Sequence, residues 1–370
     1  MNIAIDGRLL NEKITGINRF LWNVIKILPQ FDNQNKYSLF TYYDVKYEDP
    51  FYSFNYVRRL KLPRQLIEHF WLNFVLPKHL KKNNIKLFFT PYILVPLKRG
   101  SYKNVIVIHD VMTKVCEEFF TSYYKRYMDF IVPLAINKSD AIVTVSESAR
   151  QDIIKYYNVS SEKVHYMHLW TDEKFQIIKM NENQKKNVLT KYGLPDRYIL
   201  YVGAIEKRKN ILGILKISDI LQSRGININI VLAGTKGFGY DELEVEINKR
   251  SDKVLYLNYV EEKDLPLIYN LADIFIFPSY YEGFGLPVLE AMKCGLPVLA
   301  GKNSSLIEVV GDGGLLFDSE DSSSFADNII LLISDKDFYN SMKNRAIRQA
   351  EKFNQKNEMP KLVNLFNSLV

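Results

Sequence analysis

At 370 residues and 47% hydrophobic content, the chain is long enough to build two cored domains. Its two cysteines, Cys116 and Cys294, exclude a disulfide scaffold and suit a reduced, cytosolic setting. The net charge of +7 is local: residues 51–100 carry ten Lys or Arg against Glu68 alone, and no nucleic-acid module accompanies them.

The opening MNIAIDGRLL lacks a basic stretch followed by an apolar run, so it reads as a first buried strand and not as a signal peptide. Further strands are expected at 86–89, 105–108, 141–145 and 163–166. Helices are expected at 17–28, 66–82, 123–138 and 146–157. The stretch 87–97 is the most apolar, but Pro91 and Pro96 interrupt it and it is too short to span a membrane. The polar stretch 179–187 lacks periodicity and reads as a linker. The pattern then restarts, with strands at 198–202, 228–233, 254–257, 274–277, 297–300 and 315–317. The last helices are expected at 322–332 and 337–352. Strands alternating with helices imply parallel sheets, so the fold class is α/β with two successive doubly wound domains.

The segment E-G-F-G-L-P-V-L-E, from Glu282 to Glu290, carries the most chemistry. Pro287 suits the first turn of a helix and Gly295 its C-terminal end. Gly283, Phe284, Gly285 and Leu286 then offer backbone N–H groups at a helix N-terminus, a place where anions bind. One carboxylate stands before that site and one stands a turn into the helix. The arrangement suits a ligand with a central phosphate and hydroxyls at both ends, as in a sugar nucleotide. By spacing alone, two glutamates on a helix surface would account for the pattern equally well. The position at the carboxyl end of a strand favours a ligand site.

The segment resembles the signature of the retaining glycosyltransferases of family 4, which have the GT-B fold. Other stretches fall in that family's order: I-A-I-D-G-R ending at Arg8, T-G-I-N-R-F from Thr15, V-I-H-D ending at Asp110, V-T-V-S-E-S-A-R ending at Arg150, Y-V-G-A-I-E-K-R-K-N ending at Asn210, V-L-A-G ending at Gly234, and N-Y-V from Asn258. The resemblance implies two Rossmann-like domains facing a central cleft. An acceptor-side domain would cover 1–178, with a helix in 353–370 crossing back to it. A domain for the nucleotide sugar would cover 188–352.

The resemblance also implies roles. Arg208 and Lys209, in the loop opened by Gly203, would neutralise the leaving diphosphate. Ala204 departs from the family version that places an Arg directly after the glycine. Glu290 would hold the ribose and Glu282 the donor sugar. Asn258, Tyr259 and Val260 would read the base through backbone. His109 would face the reacting sugar. Asp110 would either orient that ring or cap a helix. Gly16 would let backbone approach the diphosphate, and Arg19 would point at the acceptor or solvate its helix. No hydrolase-type carboxylate pair stands out. The Asp335-Lys-Asp337 stretch suits helix capping, so neither a cofactor nor an obligatory metal is expected.

The expected reaction is hexosyl transfer, with mannose from GDP-mannose favoured, to a growing, lipid-linked glycan of the bacterial polysaccharide or O-antigen type. UDP- or dTDP-sugar donors are the alternative within the class. A nucleotide-sugar epimerase or a non-catalytic sugar-nucleotide binder is the alternative outside it. Residues 58–82 interleave aromatics with Arg64, Lys78, Lys81 and Lys82. Such a helix either rests on an anionic membrane surface, placing the protein on the inner face of the cytoplasmic membrane, or packs its apolar stripe on the first sheet.

Overall fold

The computed structural model describes residues 1–10, 16–41, 49–56 and 64–370, without the side chains of 54–56 and 64–66. Thr15 and residues 58–63 therefore lie outside the described residues. The chain divides into two compact units. The first holds residues 1–111, 121–169 and 355–370; the second holds 112–120 and 170–354.

Among the described residues, the first unit contains seven strands: β1 Asn2–Asp6, β2 Lys36–Thr41, β3 Tyr52–Tyr56, β4 Leu87–Thr90, β5 Lys103–Val107, β6 Ala141–Thr144 and β7 Val164–Tyr166. They pair in parallel in the order β3-β2-β1-β4-β5-β6-β7. The second unit contains six: β8 Tyr198–Val202, β9 Asn229–Ala233, β10 Val254–Asn258, β11 Ile274–Phe277, β12 Val298–Gly301 and β13 Leu315–Phe317. These are also parallel, in the order β10-β9-β8-β11-β12-β13. Helices on both faces bury the central strands, which is why β4, β6, β11 and β12 are apolar almost without alternation. Strand order reverses between β1 and β4, and again between β8 and β11. Doubly wound sheets open their ligand crevice at such a reversal, beyond the carboxyl ends of the strands.

Strands β2 and β3 were not expected from the sequence. They are short and carry Ser and Asn among their aromatics, and Ser38 and Ser53 bridge them at 2.6 Å between hydroxyls. The polar stretch expected as a linker is instead helical over Glu182–Tyr192. Asn181 and Gln184 form a reciprocal capping box at its start, and Gly193 ends it with φ +61°. Val188 is its one buried residue, so no apolar stripe marked the helix.

The helix expected over 66–82 is a run of three pieces: Arg64–Phe70, a wider π turn at Trp71–Val75, and Leu76–Lys82. Pro77 does not end it. The proline sits in the first turn of the last piece, where its missing N–H is tolerated, and the wide turn precedes it. Ile67, Trp71, Leu72, Leu76 and Leu80 are buried in the unit. Phe70 and Phe74, on the other side, are 40% and 61% exposed.

The helix Gln355–Leu369 belongs to the first unit. Phe366 packs edge-on to Phe89 of β4 with ring centres 5.3 Å apart. Glu358, buried in the same helix, accepts from the His168 backbone N–H at 2.9 Å and from Lys361 at 2.7 Å. Burial works to raise the Glu358 pKa, but those donors outweigh it and hold the carboxyl below its ordinary range.

Candidate active site

In the second unit, the loops after β8 and β11 flank the strand-order reversal, and they hold four charged side chains in contact. Lys207–Lys209 forms one 3-10 turn ending at Asn210 in the left-handed region, φ +54°. The Asn210 side chain caps the next helix, Ile211–Ser223, by accepting from the Gly213 N–H at 3.0 Å. This turn directs Arg208 and Lys209 toward the β11 loop. The Lys209 ammonium donates to Glu282 Oε1 at 2.5 Å and lies 5.2 Å from the centre of the Phe277 ring. Arg208 donates to Glu206 Oε1 at 2.6 Å and to the Tyr281 carbonyl at 2.5 Å, with Glu282 3.6 Å away.

Glu282 is buried among these cations. Burial alone would raise its pKa, but Lys209 and Arg208 hold the carboxyl below its ordinary value, so it is ionised at neutral pH. Its loop is held from β12 by residues the sequence did not single out. Ser304 Oγ accepts from the Glu282 N–H at 2.9 Å and donates to Asn303 Oδ1. Ser305 Oγ lies 2.9 Å from both the Glu282 and the Phe284 carbonyl oxygens. Asn303 and Ser319 both donate to the Ser279 carbonyl. The signal available was N-S-S directly after an apolar strand, where short polar side chains fasten loop backbone.

The glycine-rich turn runs into the helix Leu286–Lys293, with Pro287 in its first turn and Gly285 at its N-terminal cap, φ +100°. A Cβ at Gly285 would lie 2.8 Å from the Leu306 side chain, so both conformation and space require glycine. Cys294 and Gly295, φ +75°, close the helix. Glu290 lies on that helix at 1% exposure and accepts from Tyr269 Oη at 3.0 Å. It does not join the Arg208, Lys209 and Glu282 cluster by any contact described. Gly283 and Leu286 are half-buried; Phe284 is buried edge-on to Phe353.

Gly203 ends the β8 loop's first step, and Gly234 stands beside it. A Cβ on Gly234 would lie 1.9 Å from the Gly203 carbonyl oxygen, so these two loops approach as closely as backbone allows. Asn258 adopts φ +57° at the end of β10, and its carbonyl accepts from the Gly234 N–H at 2.8 Å. Tyr259 is exposed and Val260 buried.

The remaining residues predicted from sequence lie in the first unit. His109 follows β5 and is half-buried, with its ring edge-on to Phe20. Nε2 lies 3.1 Å from the Pro91 carbonyl, which can only accept, so Nε2 carries the proton. Burial lowers the His109 pKa to about 4, against a smaller opposing effect of the Pro91 contact. The ring is neutral at physiological pH. Asp110 is half-buried beside it and helps raise the pKa of Tyr124, which burial raises first. Gly16 begins the helix Gly16–Ile27, and among the described residues nothing lies within 4 Å of a Cβ there. Arg19 is half-buried on the same helix. The D-G-R stretch has a structural role: Arg8 grips Asp6 in a buried bidentate pair at 2.7 and 2.9 Å, supported by Thr90 at 3.0 Å and by the Trp71 ring. Asp335 caps the helix Lys336–Ala350 by accepting from the Phe338 N–H at 2.9 Å. Among the described residues, no cluster of His, Cys, Asp or Glu has the makings of a metal site.

Two parallel sheets of this topology, with a buried Arg-Lys-Glu cluster at one reversal, define a GT-B glycosyltransferase. The whole chain superposes on HepE from Anabaena, solved in complex with UDP-glucose, with a TM-score of 0.74, 17% identity and full coverage of both chains. Residues 14–175 match the model of Glycosyltransferase Family 4, and residues 182–349 match that of Glycosyl transferases group 1. The O-antigen chain mannosyltransferase B of Escherichia coli is 34% identical over 269 residues, 72% of this chain and 70% of that one. The serotype-specific mannosyltransferase WbdA of the same species is 28% identical over 284 residues. That match spans 72% of this chain but only 33% of WbdA, so the chain corresponds to about a third of that protein's length. The chain belongs to glycosyltransferase family 4.

Proposed function

We propose that the protein transfers mannose from GDP-mannose to a growing, lipid-linked glycan of the O-antigen type, with retention of anomeric configuration. The observation that carries the reading is the Arg208, Lys209 and Glu282 cluster at the carboxyl ends of β8 and β11. Similarity to two mannosyltransferases supports the sugar. In this reading the bond from the anomeric carbon to the diphosphate breaks while the acceptor oxygen bonds to that carbon on the same face. The acceptor's proton passes to the leaving phosphate. Arg208 and Lys209 supply the fixed positive charge that the departing diphosphate needs, so no metal is obligatory. Glu282 exchanges part of its contact with Lys209 for the donor sugar, Glu290 exchanges Tyr269 for the ribose, and neutral His109 offers hydrogen bonds to the sugar without adding charge.

The first unit would meet its acceptor at an anionic membrane surface on the cytoplasmic side. Exposed Lys78, Lys81 and Lys82 support this, together with exposed Phe70 and Phe74. No helix among the described residues is long and apolar enough to cross a membrane.

The test is a thermal-shift and transfer series across GDP-mannose, UDP-glucose and a dTDP-sugar, with and without chelator. GDP-mannose should stabilise the protein most and yield an α-linked product that survives chelation. Stabilisation by UDP-glucose alone would give the donor to the UDP alternative, as the HepE complex suggests by analogy. Donor consumption without any acceptor would point to epimerisation instead.

A further inference from the structure

The first unit holds a groove of about 1130 Å³ away from the strand-order reversal. One wall is the helical run ending at Lys82, through Phe70, Asn73, Phe74, Lys78 and Lys81; the other is the segment 97–102. The walls are fastened together where Asn73 Oδ1 accepts from the Leu97 N–H at 2.8 Å. The floor is apolar. Phe70 and Phe74 lie tilted against each other with ring centres 5.2 Å apart, and both stay exposed, as does Leu97. The rim carries Lys78, Lys81, Lys98 and Arg99, all exposed, with no carboxylate in the lining. No acid pairs with any of these four among the described residues.

The segment 97–102 ends the lining with a buried side chain. Tyr102 is 8% exposed, and its hydroxyl has no hydrogen-bond partner. Buried hydroxyls ordinarily find a partner, so an unpaired one is uncommon. Gly100 is what lets the ring sit there, since a Cβ at that position would lie 2.2 Å from the Tyr102 ring.

We propose that this groove binds a single long-chain lipid phosphate, the carrier of the acceptor glycan. The chain lies on Phe70, Phe74 and Leu97, and the phosphate meets the four cations on the rim. The inference rests on the lipid-linked acceptor reading above and deepens it. A concave floor between two walls suits one chain better than a flat bilayer surface does. Its volume exceeds the ~300–1,000 Å³ of ordinary small-molecule sites. Groove and reaction site also share a strand of backbone. Pro91, at one end of the segment 91–97, contacts His109, while Leu97, at the other, lines the groove. Seven residues reach at most ~25 Å even when extended. A lipid held by its phosphate in the groove therefore keeps its first sugars within a short glycan's length of His109.

The test uses farnesyl diphosphate as a dissolved probe, titrated calorimetrically against the full chain. Inorganic diphosphate and farnesol serve as half-probes. Farnesyl diphosphate should bind at least about tenfold more tightly than either half. Phe70→Ala with Phe74→Ala, and separately Lys78→Glu with Lys81→Glu, should each weaken it about tenfold. All four side chains are exposed, and an unchanged melting temperature shows that the variants fold. The ratio of transfer to lipid-linked acceptor over transfer to a soluble glycan should fall by a similar factor. Binding to anionic phospholipid vesicles but not to the dissolved probe would make the face a bilayer anchor and overturn the proposal. A dimer dissociated by the phenylalanine changes would overturn it in favour of a second copy. Probe binding unaffected by either double variant would overturn it as well. If the wild-type chain glycosylates soluble glycans but no lipid-linked one, the acceptor reading itself fails, whatever the groove binds.

Discussion

Two regions of this molecule are built from the same residue types and put them to opposite use. After β8 and β11, Arg208, Lys209, Glu206 and Glu282 are drawn inward and matched charge to charge. Around the groove, Lys78, Lys81, Lys98 and Arg99 stand in solvent without an acid, beside bare aromatic rings. The first region has surrendered its hydration and depends on each partner. The second keeps its hydration, so its loss would leave the fold nearly untouched. Charge that is costly to break tends to organise a site, and charge that is unpaired and exposed tends to meet something from outside.

The difference can be broken most forcefully at Lys209. Lys209→Ala leaves Glu282 buried beside Arg208 alone and should cost ~3–5 kcal/mol of unfolding free energy, read from the denaturant midpoint. Transfer should fall ~10²- to 10³-fold, as when one preorganised electrostatic donor is lost. Restoring stability with a Lys209→Met, Glu282→Gln pair while transfer stays lost would separate the two effects. A loss under ~1 kcal/mol in the single variant would mean that the cluster is not as interdependent as its geometry implies.

The two glutamates sharpen the picture within the first region. Glu290→Ala removes the nearer acceptor of the buried Tyr269 hydroxyl and leaves it the Pro287 carbonyl at 3.3 Å, so it should cost only ~1 kcal/mol, with weaker binding of the free nucleoside diphosphate. Glu282→Ala should lower turnover more than nucleotide affinity if, as proposed, it holds the donor sugar. Calorimetric titration of the nucleoside diphosphate against both variants decides. Reversed effects would exchange the roles.

His109 extends the comparison to protons. It is neutral in the fold, with a pKa of about 4 against an ordinary 6.5. Between those values the unfolded chain binds the extra proton, so stability rises with pH. The contribution is complete above about pH 6.5 and drains away as the pH falls toward 4. A urea series across that window should show a shallower acid decline for His109→Gln than for the wild type. Parallel curves would show that the ring titrates normally.

The smallest effect on stability belongs to the second region. Reversing Lys78, Lys81 and Lys82 to Glu should change the unfolding free energy by no more than ~0.5 kcal/mol. The same variant should leave anionic vesicles that the wild type binds at low salt. A large loss of stability would show that the helix face is held to the fold by charge after all.

The sequence displayed the first region well and the second only in part. The glycine and proline positions around Glu282 have local conformational causes, so the turn and helix could be read without their surroundings. The partners that hold the turn could not. Asn303, Ser304 and Ser305 act from the loop after β12, about twenty residues away, and their short polar type marks a loop fastening without naming the backbone it fastens. The helix Glu182–Tyr192 was hidden because it is solvated on nearly every side, leaving only its capping box as a trace. Strands β2 and β3 were hidden by the polar residues that interrupt their aromatics. In the helical run to Lys82, the apolar residues were plain, but periodicity could not tell buried Trp71 from exposed Phe74. The π turn that contains both shifts the faces out of the regular period.

The helix Gln355–Leu369 sets a clock on biosynthesis. Its buried face, including Met359, Leu362 and Phe366, completes a unit whose other segments end at residue 169. On a ribosome moving at ~5–20 residues per second, the roughly 185 intervening residues take about 10–40 s to emerge. For that interval Phe89 of the nascent sheet lacks its cover. The second unit, whose segments are all made before residue 355, can finish folding first although it begins later. Newly made protein should therefore become protease-resistant in the second unit ahead of the first, and truncation before residue 355 should expose the earlier-made unit to aggregation.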